Sequence, residues 1–215
     1  MLLPALATIP GPLALVEVGA SVGLCLQFDR YSYDYGTVRL TGSDPEAPVL
    51  RCELRGGSPP PKRMPDVAWR AGLDLDPLDP ADPNDCDWLR CLVWPGQPDR
   101  VHRLQAALET ARRYPIRVAE GDLVDDLGAL IEQAPDDATV VVFHSAVLAY
   151  LHPGRRREFA RLIDDLRVPW LSNEAAGVLP GTRTPHRSDS PFVLALDGAP
   201  IALTHPHGDW IEWYR

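Results

Sequence analysis

The sequence predicts an α/β fold built on a mainly parallel, doubly wound sheet. Three observations point to it. First, the stretch Leu13–Phe28 opens as a short apolar run and breaks at the glycine-rich turn Glu17-Val-Gly-Ala-Ser-Val-Gly-Leu24. A buried parallel strand that stops at a tight loop and feeds a helix reads this way. Second, short β-like runs recur at Trp69–Leu75, Ile116–Ala119, Thr139–Phe143 and Val168–Ser172, with helical periodicities between them. Alternating strands and helices imply parallel pairing through crossovers. Third, 215 residues suffice for one such core, so residues 1–215 are expected to form a single α/β domain.

The elements follow in order. Leu2–Ala7 forms a helical turn that Pro10-Gly-Pro12 ends. Leu2, Leu3, Leu6 and Ile9 resemble the tail of a helix, a remnant over residues 1–12 whose apolar surface would favour a homodimer. Strand one is Leu13–Val18, followed by the glycine loop and a helix from about Val22 to Arg30. Tyr31, Tyr33 and Tyr35 alternate with polar residues. With Val38–Thr41 and Val49–Leu54 they suggest a β-hairpin inserted near residues 31–54 and closed off by a loop to about residue 58. Strand two, Trp69–Leu75, ends at Asp74. Helices are expected over Asp85–Val93 and Asp99–Tyr114; in the second, Val101, Leu104, Leu108 and Ala111 share one face and Arg112-Arg113 complements the dipole. Pro115 stops it before strand three. Leu123–Gln133 reads as the next helix. Strand four, Thr139–Phe143, is the most β-branched run and hence central. Helical turns over Ala146–Leu151 and a helix over Arg155–Leu166 lead to strand five. Pro180–Pro191 is a polar loop, and Phe192–Leu196, Asp197-Gly198 and Ile201–Thr204 form a terminal antiparallel β-hairpin.

Composition narrows the function classes. The net charge of -9 opposes binding to nucleic acid or to an anionic membrane, both of which need basic surface. No apolar run is long enough to span a bilayer, and the start lacks the basic region of a secretory signal. The four cysteines have no C-x-x-C spacing and read as reduced thiols, which suits a cytoplasmic protein. Lys62 is the only lysine against many arginines, a bias typical of a GC-rich bacterial genome.

The glycine loop is the principal candidate site. Gly19 and Gly23 allow the backbone to turn and a ligand to approach, or they simply close the sheet with no ligand. The pattern E-x-G-x-x-x-G lacks the middle glycine of the dinucleotide fingerprint. It resembles instead the first motif of class I S-adenosylmethionine methyltransferases. That resemblance implies a Rossmann-like fold of the class I methyltransferase type with S-adenosylmethionine as cofactor. Glu17, Gly19, Ala20, Ser21 and Gly23 would hold its methionine part. Asp74, at a strand's carboxyl end, would take the ribose hydroxyls; its neighbours Asp76 and Asp79 read as turn formers beside Pro77 and Pro80. Asp122 and Leu123, in the step Gly121-Asp-Leu, would meet the adenine, although Asp122 is equally a helix N-cap. His144, after strand four, would be a general base or a cleft hydrogen-bonder. The run His205-Pro-His-Gly-Asp209 matches the opening of a metallo-β-lactamase zinc motif, but it comes last in the chain and no metal is expected there.

The runs VEVGASVGL, FDRYSYDYG, GLDLDPLDPADP, WLRCLVWPGQPDR, VAEGD, VVFHSAVLAYL and HPHGDWIEW together resemble the bacterial family called domain of unknown function 2332. That resemblance implies a methyltransferase-like protein of unassigned activity on a small molecule. It also implies an asparagine where this chain has Cys25, and a longer N-terminal helical region than this chain carries. The alternatives are a methyltransferase fold that binds without catalysis, and a metal-dependent hydrolase using His205, His207 and Asp209.

Overall fold

The computed structural model describes residues 1–179 and 191–214. In chain order the elements are α1 (Leu3–Leu6), β1 (Leu13–Val18), β2 (Ser32–Asp34), β3 (Arg39–Leu40), β4 (Val49–Arg51), β5 (Glu53–Arg55), β6 (Val67–Asp74), α2 (Pro83–Cys91), α3 (Pro98–Arg113), β7 (Val118–Glu120), α4 (Leu127–Ile131), β8 (Thr139–Ser145), α5 (Pro153–Leu166), β9 (Trp170–Ala175), β10 (Phe192–Leu196), β11 (Ala199–Thr204) and β12 (Trp210–Trp213). The chain is α/β, with a large, mostly parallel central sheet flanked by helices.

That sheet runs β5-β12-β11-β10-β9-β8-β1-β6-β7. The five strands from β9 to β7 are parallel to their neighbours, while β9, β10, β11 and β12 pair antiparallel in succession. All six residues of β1 are buried because it lies at the centre with both faces covered. Leu13 and Leu15 face a core shared with Leu3, Leu6, Phe28, Phe143 and Ala107 of α3. Val16 and Val18 face the other core, closed by Leu127 of α4 and by Phe159 and Ile163 of α5. Among the described residues no helix is long and apolar enough to cross a membrane.

Several elements differ from expectation. The helix expected over Val22–Arg30 is instead a chain of turns with one 3-10 turn, Cys25–Gln27. Its N–H groups bond three residues back, as Gln27 does to Leu24 and Phe28 to Cys25. Three carbonyls that α-helical bonds would use are taken from outside. Tyr31 Oη–H donates to Leu24 O, Arg70 donates to Leu26 O, and Tyr33 Oη–H donates to Phe28 O. Arg70 also grips Asp29 through two parallel bonds of 2.6 and 2.9 Å. The inserted hairpin is also different. β2 pairs antiparallel with β3 but parallel with β4, in a separate small sheet, and β5 leaves it to edge the main sheet. The helix expected over Leu123–Gln133 is confined to Leu127–Ile131. Leu3, Leu6 and Ile9 are buried in the main core, so they do not form the apolar surface expected to drive a homodimer. The terminal β-hairpin forms as expected from β10 and β11; most of the polar loop before it, residues 180–190, lies outside the described residues.

Candidate functional site

The strand order turns at β1: β6 and β7 lie on one side, β8 and β9 on the other. Successive connections leave in opposite directions there, which opens a crevice at the carboxyl ends. A cavity of about 290 Å³ occupies this place, bordered by Gly19, Asp74, Gly121, Leu123, Ser145 and Tyr150.

The glycine loop builds one wall. Gly19 and Gly23 have φ of +67° and +72°, where a Cβ is disfavoured. Ser21 also adopts a positive φ, +53°. Its N–H is held by Asp74 Oδ2 at 2.7 Å, while Asp74 Oδ1 accepts from Asp76 N–H at 3.0 Å. Asp74 thus ties the loop to the end of β6. Leu73 O accepts the N–H groups of Gly19 and Ala20. Gly19 receives a close approach from the protein itself. A Cβ there would lie 2.4 Å from Cγ2 of Val147. Gly19→Ala is therefore expected to destabilise by about 2 kcal/mol through backbone and steric strain. In urea denaturation, Val147→Ala should relieve the steric share in the double variant; full additivity of the two changes would contradict the contact.

Of the expected site residues, the crevice brings together Gly19, Asp74 and Leu123, with Ser21 bonded to Asp74 and buried Ala20 beside them. Glu17, Gly23, Asp122 and His144 do not line it. Gly23 packs beside Val118. Asp122 Oδ1 accepts the N–H groups of Val124 and Asp125 and the guanidinium of Arg155, so its carboxylate caps the turn before α4.

Glu17 points to the core face that holds Leu15 and is 5% exposed. Burial pushes its pKa up to about 8, against the lowering effect of the Cys25 thiol and the Leu26 N–H beside it. Its Oε2 has no partner among the described residues. The Cys25 thiol is in turn raised above its ordinary range, first of all by the neighbouring Glu17 carboxyl. The Glu17 carboxyl thus lies in the core face of β1 and not in the crevice.

His144 is fully buried between Phe159 and Trp170, with ring centroids 5.7 and 5.9 Å away. Its Nε2 accepts from Trp170 Nε1–H at 3.0 Å, so the proton sits on Nδ1, which donates to Glu174 Oε1 at 2.8 Å. Glu174 Oε1 also accepts the N–H groups of Val147 and Leu148 at 2.8 and 2.9 Å. Burial opposes the charge on Glu174, but His144 and the two amides outweigh it and lower the pKa. Both imidazole nitrogens of His144 are committed to partners within the protein. His144 holds Glu174, which holds the turn that carries Val147.

Sequence reasoning missed the polar row behind Ser145. Asn173 Nδ2 donates to Ser145 Oγ at 2.9 Å, and Thr204 Oγ1 donates to Asn173 Oδ1 at 2.6 Å. Asn173 and Thr204 are fully buried. The signal was present but weak: polar residues interrupt apolar runs at the carboxyl ends of three strands.

At the far end of the sheet, His205 Nδ1 meets Asp209 Oδ2 at 3.1 Å, and the His205 and His207 rings stand edge to face, 5.6 Å apart. Among the described residues no group of three His, Cys, Asp or Glu side chains converges enough to hold a metal ion. The H-x-H-x-D run forms a turn between β11 and β12, with Gly208 N–H bonded to His205 O.

No curated protein and no solved structure matches this chain. Residues 1–213 match the family described as an uncharacterised protein conserved in bacteria, DUF2332. The match covers nearly the whole chain, central sheet and crevice included, and the chain belongs to the DUF2332 family.

Proposed function

We propose that this chain is an S-adenosylmethionine-binding, methyltransferase-like protein acting on a small molecule, with the crevice at the ends of β1, β6, β7 and β8 as the cofactor site. The observation that carries the reading is Asp74, an acid at a strand's carboxyl end, bonded to the glycine loop and bordering a cavity. Each Asp74 oxygen accepts one backbone N–H and keeps a lone pair for a ribose hydroxyl. Leu123 offers an apolar wall to a flat base. The volume of about 290 Å³ suits the nucleoside part better than the whole cofactor.

Bound S-adenosylmethionine would supply an activated methyl group. The protein's part is positioning, since in-line displacement gains chiefly from holding the reactants together. Ser145 accepts its bond from Asn173, which leaves the Ser145 hydroxyl proton free to donate to a ligand. Asn173 and Thr204 are positioning residues in this reading.

A second reading, binding without turnover, is favoured by one observation: Val147 stands against Gly19, where the resemblance would put the methionine part. Calorimetric titration with S-adenosylmethionine, S-adenosylhomocysteine and NAD tests the proposal. Micromolar binding of the first two is expected. Asp74→Asn keeps an acceptor for Ser21 and should weaken binding by about tenfold or more. A folded sample that binds none of them, or unchanged affinity in the variant, would overturn the assignment. If Val147 blocks the methionine part, Val147→Ala should tighten S-adenosylmethionine more than adenosine.

A further inference from the structure

A second cavity, of about 490 Å³, opens between α2, α3, the Leu24–Phe28 turns and the small sheet. Its walls are apolar, with Leu24, Phe28, Leu50 and Leu104 among them. The charged groups that border it are Arg51, Arg100, Arg103 and the amino group of Met1 beside Cys52, with His207 near them and no aspartate or glutamate. This is unexpected in a chain of net charge -9. None of the three guanidiniums is ion-paired with a carboxylate among the described residues; Arg100 donates only to Gln97 Oε1. Burial first, and the Arg100 charge second, lower the His207 pKa.

The placement is written in α3. Arg100, Arg103, Leu104 and Ala107 border the cavity and follow the i, i+3, i+4, i+7 spacing of one helical face. Cations occupy the first half of that face and apolar groups the second. An adjoining open groove does contain acids, but Asp34, Glu53 and Asp209 are already held by Arg39, Arg55 and His205, which leaves Asp99. Arg51, Arg100 and Arg103 border that groove as well, and on the cavity side no carboxylate faces them.

We infer that this cavity binds an apolar monocarboxylate, with the chain or ring against Leu24, Phe28, Leu50 and Leu104 and the carboxylate against Arg100 and Arg103. Guanidinium matches a carboxylate through two parallel bonds. The volume lies within the range of small-molecule sites, about 300–1,000 Å³. The inference stands independently of the cofactor crevice, which shares none of the cavity's lining residues.

The test is calorimetric titration of the full chain with octanoate, octanol and octyltrimethylammonium. Octanoate should bind saturably, octanol about tenfold or more weakly, and the cation not at all. The double variant R100Q/R103Q alters two partly exposed side chains and should weaken octanoate by about tenfold or more while leaving octanol unchanged. Equal affinity for octanoate and octanol, no saturable octanoate binding, or an unaffected double variant would overturn it.

Discussion

Glu174→Ala is expected to destabilise the protein by about 3–5 kcal/mol, because it leaves a buried imidazole N–H and two backbone N–H groups without an acceptor. All three converge on one oxygen of Glu174, which is 2% exposed. Glu174→Gln keeps a carbonyl oxygen in that place and should cost markedly less, so the pair separates loss of the acceptor from loss of charge. Urea denaturation at neutral pH reads both. Equal losses for the two variants would mean that the charge matters and the acceptor geometry does not. The lowered pKa of Glu174 also sets a pH direction. Its contribution is present above the ordinary carboxylate pKa and is lost as pH falls through the lower folded value.

Glu17→Gln should act in the opposite direction. The folded chain holds the Glu17 proton up to about pH 8, whereas the unfolded chain releases it near 4.5. Between those values folding must take up a proton. The wild-type protein should therefore lose stability steadily as pH rises through that window, by up to about 5 kcal/mol from this group alone. Below it Glu17 is protonated in both states and contributes no pH dependence. The variant should equal the wild type near pH 4 and exceed it increasingly up to pH 8. The difference between the two denaturation midpoints against pH isolates this group; parallel profiles would refute a buried, proton-bearing Glu17.

These two glutamates show what the sequence could and could not convey. β1 and β8 were legible because burial on both faces makes each a nearly continuous apolar run. Asp74 was legible because it ends such a run. Glu17 was visible as an acid beside a glycine loop, but strand alternation sends it into the core with Leu15, away from the crevice. His144 was visible at the end of β8, but its hydrogen-bond partners were not. Its partners, Trp170 and Glu174, lie on the neighbouring strand, and no local pattern announces them. The turns after Gly23 were misread as a helix because the side chains that take their carbonyls come from Tyr31, Tyr33 and Arg70. Arg100 and Arg103 carried no sequence signal, because the apolar residues that border the same cavity, Leu24 and Leu50, come from distant segments.

The parallel pairing of β5 with β12 has a consequence for how the molecule assembles. Glu53–Arg55 meets Trp210–Glu212 across the sheet, and Trp213 N–H reaches Ser58 Oγ, 155 residues distant in the chain. During synthesis β5 emerges well before its partner strand, β12, has left the ribosome. Closing so long a loop adds little to the equilibrium cost, which grows only with the logarithm of length, but contacts of this range slow folding. Through that interval β5 is an open strand edge, the kind of surface on which chains associate wrongly. Its sequence, Glu53-Leu-Arg55, places a charge on either side of its one apolar residue, which guards that edge until β12 arrives.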